Sequence, residues 1–252
     1  MKLRCLARFF LCLISLITVL CCSPPGQAAT DKVKLTAADG YRIAGILSRP
    51  DQVEGGLGVV LLHMYRQNKE SWQPLVAELD RRGLVSLAID MRGHGESSIG
   101  PGGDDSSRVM ERDPAFFNAM HLDADAAVRY LIDQAGCRKI GLVGASVGCS
   151  VDIDTAVRGQ VPVHAVVVMT PGSDYLDIST LQHIENWPGR PLLILSSSEE
   201  KERGADVIFR KLEKQGAELV IFAQTNIHGT NMFGRVDGVA GRIVSWLSGK
   251  LQ

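Results

Sequence analysis

Lys139-Ile140-Gly141-Leu142-Val143-Gly144-Ala145-Ser146-Val147-Gly148 is the stretch on which the fold turns. Lys139–Val143 reads as a buried strand, and Val147–Val157 follows as a helix. Between them stands Gly144-x-Ser146-x-Gly148. A strand-to-helix turn this tight has no room for a Cβ at its glycines, and it lifts the serine oxygen out of the sheet. The same turn aims the Val147 backbone N–H and the head of the helix at any negative charge that builds beside Ser146. Ser146 is therefore the candidate nucleophile. A plain glycine-rich packing turn is the alternative.

Outward from this turn, strands and helices alternate. Lys32–Leu35 and Tyr41–Leu47 read as strands around the turn Ala38-Asp39-Gly40. Gly58–Leu62, Leu84–Ile89, His164–Met169, Pro191–Leu195 and Glu218–Phe222 read as further strands. Helical spacing marks Trp72–Arg82, Asn118–Gln134, Ala205–Lys214 and Val236–Leu247. The segment Arg92–Asn118 is rich in Gly, Ser and Asp and reads mostly as loop. This alternation predicts the α/β class: a doubly wound, mostly parallel sheet with helices on both faces. No repeat or linker interrupts residues 29–252, which are expected to form one domain.

In such a sheet ligands bind at the carboxyl ends of the strands. A hydroxyl nucleophile needs a base near neutral pH. His228, in the loop between the last strand and the last helix, can reach that edge. His121 stands in a helix, His164 begins a strand at the far end, and His183 lies in the connection after Pro171. A carboxylate must orient the imidazole. The slot is Ser196-Ser197-Ser198-Glu199-Glu200, after the strand Pro191–Leu195. Glu199 is the expected acid, with Glu200 next and Asp206 after it. The chain order is then Ser, acid, His.

Four segments carry a family resemblance. They are Val59-Val60-Leu61-Leu62-His63-Met64-Tyr65 with Ser71-Trp72; Asp90-Met91-Arg92-Gly93-His94-Gly95-Glu96-Ser97; the Ser146 turn; and His228-Gly229. Over residues 32–250 the chain resembles the α/β-hydrolase superfamily. Its opening, from Asp39-Gly40-Tyr41 to Pro50, looks like the hairpin of dienelactone-hydrolase-like and prolyl-oligopeptidase-like members. The resemblance implies an oxyanion hole made by the backbone N–H groups of Tyr65 and Val147. Met64 stands where relatives usually carry Gly, so Met64 is the alternative donor. It also implies structural roles for Asp90 and His94, and marks Glu199 as a departure from the usual Asp. The connection Thr170–Arg190 is too short for a multi-helix lid, so an open cleft is expected. Phe116 and Phe117 are candidates to line an acyl pocket, or to hold their loop down.

These readings point to a serine hydrolase of carboxylesterase type acting on a small-molecule ester. Amide or peptide hydrolysis by the same triad is the second option, and a hydrolase-fold binding protein with weak catalysis the third. No cofactor and no metal site is implied, since no ligand-spaced cluster is evident. The 27 basic and 28 acidic residues give a formal charge of −1 and no electrostatic case for nucleic acid. Oligomeric state is not encoded in any pattern found.

The start of the chain reads separately. Lys2, Arg4 and Arg8 precede the apolar run Phe9–Cys22, which fits a signal-peptide core and is short for a membrane span. Residues 1–28 are expected to be a signal peptide cut after Ala28, giving an exported, periplasmic or secreted product. Lipidation at Cys21 or Cys22, with membrane attachment, is the alternative. Leu20 before Cys21 is larger than a lipidation site prefers. Only Cys137 and Cys149 follow Ala28, which makes no disulfide framework.

Overall fold

The computed structural model describes residues 29–252. The expected signal segment and both lipidation candidates lie outside the described residues. Eight strands form the main sheet: β1 (Ala29–Thr36), β2 (Arg42–Arg49), β3 (Leu57–Leu62), β4 (Val85–Ile89), β7 (Lys139–Ala145), β8 (Ala165–Met169), β9 (Leu192–Ser197) and β10 (Ala217–Phe222). Their order is β1-β2-β4-β3-β7-β8-β9-β10. β2 runs against both of its neighbours, and the pairs from β4 to β10 are parallel. The expected doubly wound, mostly parallel sheet is what forms.

Alternation along β3 builds the two layers. Val60 and Leu62 enter the core on one face, and Val59 and Leu61 enter the core on the other. The first face is covered by α4 (His121–Asp133), α5 (Val147–Arg158) and α7 (Ala205–Leu212). The second is covered by α1 (Gln73–Arg81) and α8 (Val239–Leu251). Strands covered on both faces must be apolar throughout, which is why they read as unbroken Val/Leu/Ile runs. Each such side chain contributes about 1.5–3 kcal/mol of burial.

Two stretches differ from the sequence reading. Arg92–Asn118 is not mostly loop. It holds a small hairpin, β5 (Ile99–Gly100) with β6 (Gly103–Asp104), then α2 (Ser106–Met110) and α3 (Pro114–Asn118). Asp113 starts α3 by accepting the Ala115 and Phe116 N–H groups at 3.0 and 3.3 Å, with Pro114 at the first helical position. The last helix begins at Val239 rather than Val236, because Gly238 adopts a left-handed conformation (φ 70°) just before it. The connection Thr170–Arg190 contains α6 (Thr180–His183), a single turn, and a 3-10 turn after it. Among the described residues no helix is long and apolar enough to cross a membrane.

Candidate active site

Ser146 joins β7 to α5 at φ 55° and ψ −117°, a conformation a side chain rarely adopts. Close packing on both sides holds it there. A Cβ on Gly144 would lie 2.4 Å from Gly148 and 2.5 Å from the Asp152 carboxyl. A Cβ on Gly148 would lie 2.3 Å from the Leu62 carbonyl oxygen. The glycine spacing thus lets the head of α5 press against the end of β3. The Ser146 N–H donates to the Met169 carbonyl at 3.0 Å, which ties the turn to β8 as well. Such strain costs about 1–3 kcal/mol and persists only where the surroundings enforce it.

Val147 is the first residue of α5, so its N–H has no intrahelical acceptor. Across from it, the Met64 carbonyl accepts the Gln67 N–H at 3.0 Å, closing a turn with Arg66 at φ 60°. The Tyr65 N–H donates no hydrogen bond within the described residues. The thioether of Met64 is turned inward: a Cβ on Gly229 would lie 2.2 Å from its Sδ. Met64 therefore fills space beneath the His228 loop. The Tyr65 side chain reaches the insertion after β4, its hydroxyl donating to the Val109 carbonyl at 3.1 Å and its ring lying against Phe117. Phe116 and Phe117 are buried, so they hold that insertion down.

His228 sits in the loop after β10, half-buried. Its Nδ1 lies 2.6 Å from Glu200 Oε2. This corrects the expectation of Glu199 as the orienting acid. Glu200 N–H turns back to the Ser197 carbonyl and hydroxyl at 3.2 and 3.1 Å, and that tight turn swings residue 200 toward the imidazole. Glu199 instead accepts the Asn226 N–H at 3.1 Å, two residues before His228. It braces the histidine loop and does not touch the ring. Asp206 lies in the first turn of α7 and makes no hydrogen bond to His228. The second Glu200 oxygen lies 3.6 Å from Arg203 Nη1.

Two residues at this site carried no signal in the sequence reading. Thr170 follows β8 at φ 52°, unusual for a β-branched residue. Its Oγ1 accepts the Gly229 N–H at 2.7 Å. A Cβ on Gly229 would also lie 3.2 Å from Ala145, so the His228-Gly229 step is seated on the residue before Ser146. The Tyr175 hydroxyl donates to the Thr170 carbonyl at 3.4 Å and lies near the Ser146 side chain, and its ring meets His228 edge-on with centroids 6.3 Å apart. Ser146 and His228 thus share Tyr175 as a neighbour. Burial pushes the Tyr175 phenol up to about 12, so it stays protonated near neutral pH.

The other motif residues are structural in geometry. Asp90 is fully buried and pairs with Lys69 at 2.7 Å, and His94 points its Nδ1 at the Arg92 carbonyl. Among the described residues no group of three or more His, Cys, Asp or Glu side chains could hold a metal ion. Cys137 and Cys149 are free and buried.

Residues 57–190, more than half of the chain, match the protein family described as "Serine aminopeptidase, S33". No curated protein matches the chain by sequence. Among solved structures, the chain is similar to an esterase of Pyrococcus furiosus, with TM-score 0.71 and 18% identity over 89% of this chain and 94% of that one. It is similar to a dienelactone hydrolase of Anabaena variabilis, with TM-score 0.68 and 18% identity over 90% of this chain and 100% of the other. A dipeptidyl peptidase 4 of Porphyromonas gingivalis aligns with TM-score 0.67 and 16% identity over 89% of this chain and 36% of the peptidase. At these identities the likeness is one of fold.

Proposed function

Because the chain belongs to the serine aminopeptidase S33 family of the α/β-hydrolase superfamily, and so to the serine-type hydrolases, we propose that it cleaves carboxylic esters through Ser146, His228 and Glu200. One observation carries the reading. A strained serine at a helix head and a histidine paired to a carboxylate at 2.6 Å share Tyr175 as a neighbour, and the histidine loop packs on the residue before that serine. In this reading Glu200 fixes the proton on His228 Nδ1, which leaves Nε2 to take the Ser146 proton. Ser146 Oγ attacks the ester carbonyl. The tetrahedral oxyanion is held by the N–H groups of Val147 and Tyr65. His228 then protonates the leaving alcohol, and water releases the acyl group by the same route in reverse.

The similarity to esterase structures supports a small ester as substrate. The family description and the peptidase neighbour support amide hydrolysis as the second reading, with a less reactive leaving group to protonate. The weak-catalysis reading loses its main support, since Met64 packs inward and Glu200 meets the imidazole. The basic and apolar start of the chain supports export with cleavage after Ala28.

A fluorophosphonate probe tests the proposal. Residues 29–252 are expected to be labelled at Ser146, and Ser146→Ala is expected to lose both labelling and ester turnover while melting as the parent does. A folded parent that takes no label overturns the reading. Ester and aminoacyl-anilide panels then separate the esterase from the peptidase.

A further inference from the structure

Tyr175 is a half-buried polar side chain near Ser146 and His228 that the mechanism above leaves unused. It is held with unusual firmness. Tyr175 and Ile178 bond to each other in both directions, Tyr175 N–H to Ile178 carbonyl at 3.3 Å and the reverse at 3.0 Å. Between them Leu176 and Asp177 both take positive φ, 54° and 64°. Two consecutive left-handed residues make the tightest hairpin loop, which normally selects Asn and Gly. Leucine is a costly choice there. The loop is braced from outside by Asn118, whose side-chain amide donates to the Asp177 carbonyl at 3.1 Å, and by the Ser173 N–H, which donates to the Arg203 carbonyl at 2.9 Å. Gly172 lets the ring in: a Cβ there would lie 2.8 Å from it. The result is a phenol fixed over the site by backbone that is strained on its behalf.

Its hydroxyl has two neighbours, the Ser146 hydroxyl and the Thr170 carbonyl at 3.4 Å. Its ring faces His228. The oxygen that leaves in acylation, and the water that enters in deacylation, must each stand between the Ser146 side and the His228 nitrogen that trades protons with it. A group that neighbours both residues is placed to reach that oxygen.

Resting on the esterase reading, we propose that Tyr175 is a catalytic residue whose hydroxyl donates a hydrogen bond to the leaving alcohol oxygen in acylation and to the attacking water in deacylation. The bond balance is that of ester cleavage. Ser146 Oγ–C forms, C–OR breaks, the Ser146 proton travels through His228 to OR, and Tyr175 keeps its proton throughout. The donor matters most where the leaving oxygen carries the most charge, in alkyl esters of poorly acidic alcohols.

The test is leaving-group dependence. Tyr175→Phe keeps the ring against Gly172, and its fold is checked by thermal melting. Its kcat/KM is expected to fall about 10- to 100-fold on ethyl esters, and less than about threefold on p-nitrophenyl esters of the same acid. An equal loss on both, or none, overturns the proposal while leaving the esterase reading intact. A parent that hydrolyses neither overturns both. Where Tyr175→Phe melts early, 3-fluorotyrosine at position 175 decides. This donor of nearly the same shape is expected to keep or raise the ethyl-ester rate. A fall like that of Phe would overturn the proposal.

Discussion

His63 and His228 each follow a strand of the same sheet and live by opposite rules. His63 is fully buried beside His94, ring centroids 4.8 Å apart, with no carboxylate on either ring. Its Nε2 accepts the Met91 N–H at 3.0 Å, so its Nδ1 must be the protonated nitrogen and donates to the Met64 carbonyl at 2.7 Å. Both nitrogens are spent on backbone, and burial presses the ring down to about 3, keeping it neutral. His228 is half-open and has a carboxylate on one nitrogen, and its other nitrogen makes no hydrogen bond within the described residues. Both histidines follow a strand and both belong to family-like motifs. What separates the structural histidine from the one proposed as the base is what their nitrogens touch.

The largest effect comes from exchanging the two fates. His228→Asn is expected to cut turnover by about 10⁴- to 10⁶-fold with an unchanged melting curve. His63→Asn is expected to lose about 1–3 kcal/mol of stability, since a buried backbone group loses its partner, with turnover per folded molecule kept within about tenfold. Paired melting and turnover measurements check both. If His63→Asn lost activity as His228→Asn does, without loss of stability, the contrast would collapse.

The middle effect concerns the carboxylates. Glu200→Gln is expected to lower kcat by about 10²- to 10⁴-fold, because the imidazolium that forms in the reaction loses its counter-charge. Glu199→Gln keeps an acceptor for the Asn226 N–H and is expected to change kcat by less than about threefold. Steady-state kinetics on the two variants rank the acids directly, and the reverse ranking would restore Glu199.

The smallest effect is a pH slope. The folded His63 binds its proton only near pH 3, whereas the unfolded chain binds it near 6.5. The unfolded state therefore holds more protons between those values, and folding stability falls as pH drops through that window, by up to about 1.4 kcal/mol per unit. Above about 6.5 this contribution is fully present. His94, also pressed down by burial, adds in the same sense. Urea melts at pH 7, 6 and 5 are expected to follow this slope, and His63→Asn is expected to flatten it.

Much of this was legible from residue order alone. The unbroken apolar strands announced a sheet covered on both faces, and the glycine spacing around Ser146 announced a turn that the packing indeed requires. The carboxylate that meets His228 stands one residue after the one expected first. A tight turn after β9 sets which of Glu199 and Glu200 faces inward, and side-chain chemistry does not encode that choice. Thr170 and Tyr175 were missed for a related reason. Their placement depends on left-handed backbone at Thr170, Leu176 and Asp177, and neither threonine nor leucine signals it. The capped start of α3 was there to be seen in Asp113-Pro114, but the surrounding glycines and serines outweighed it.

The backbone at residue 146 would suit glycine better than any other residue, and replacing the serine by glycine should make the chain harder to unfold. Selection for durability alone would have no use for a hydroxyl there. A serine at that position is a standing thermodynamic concession, one that the proposed use of its hydroxyl accounts for.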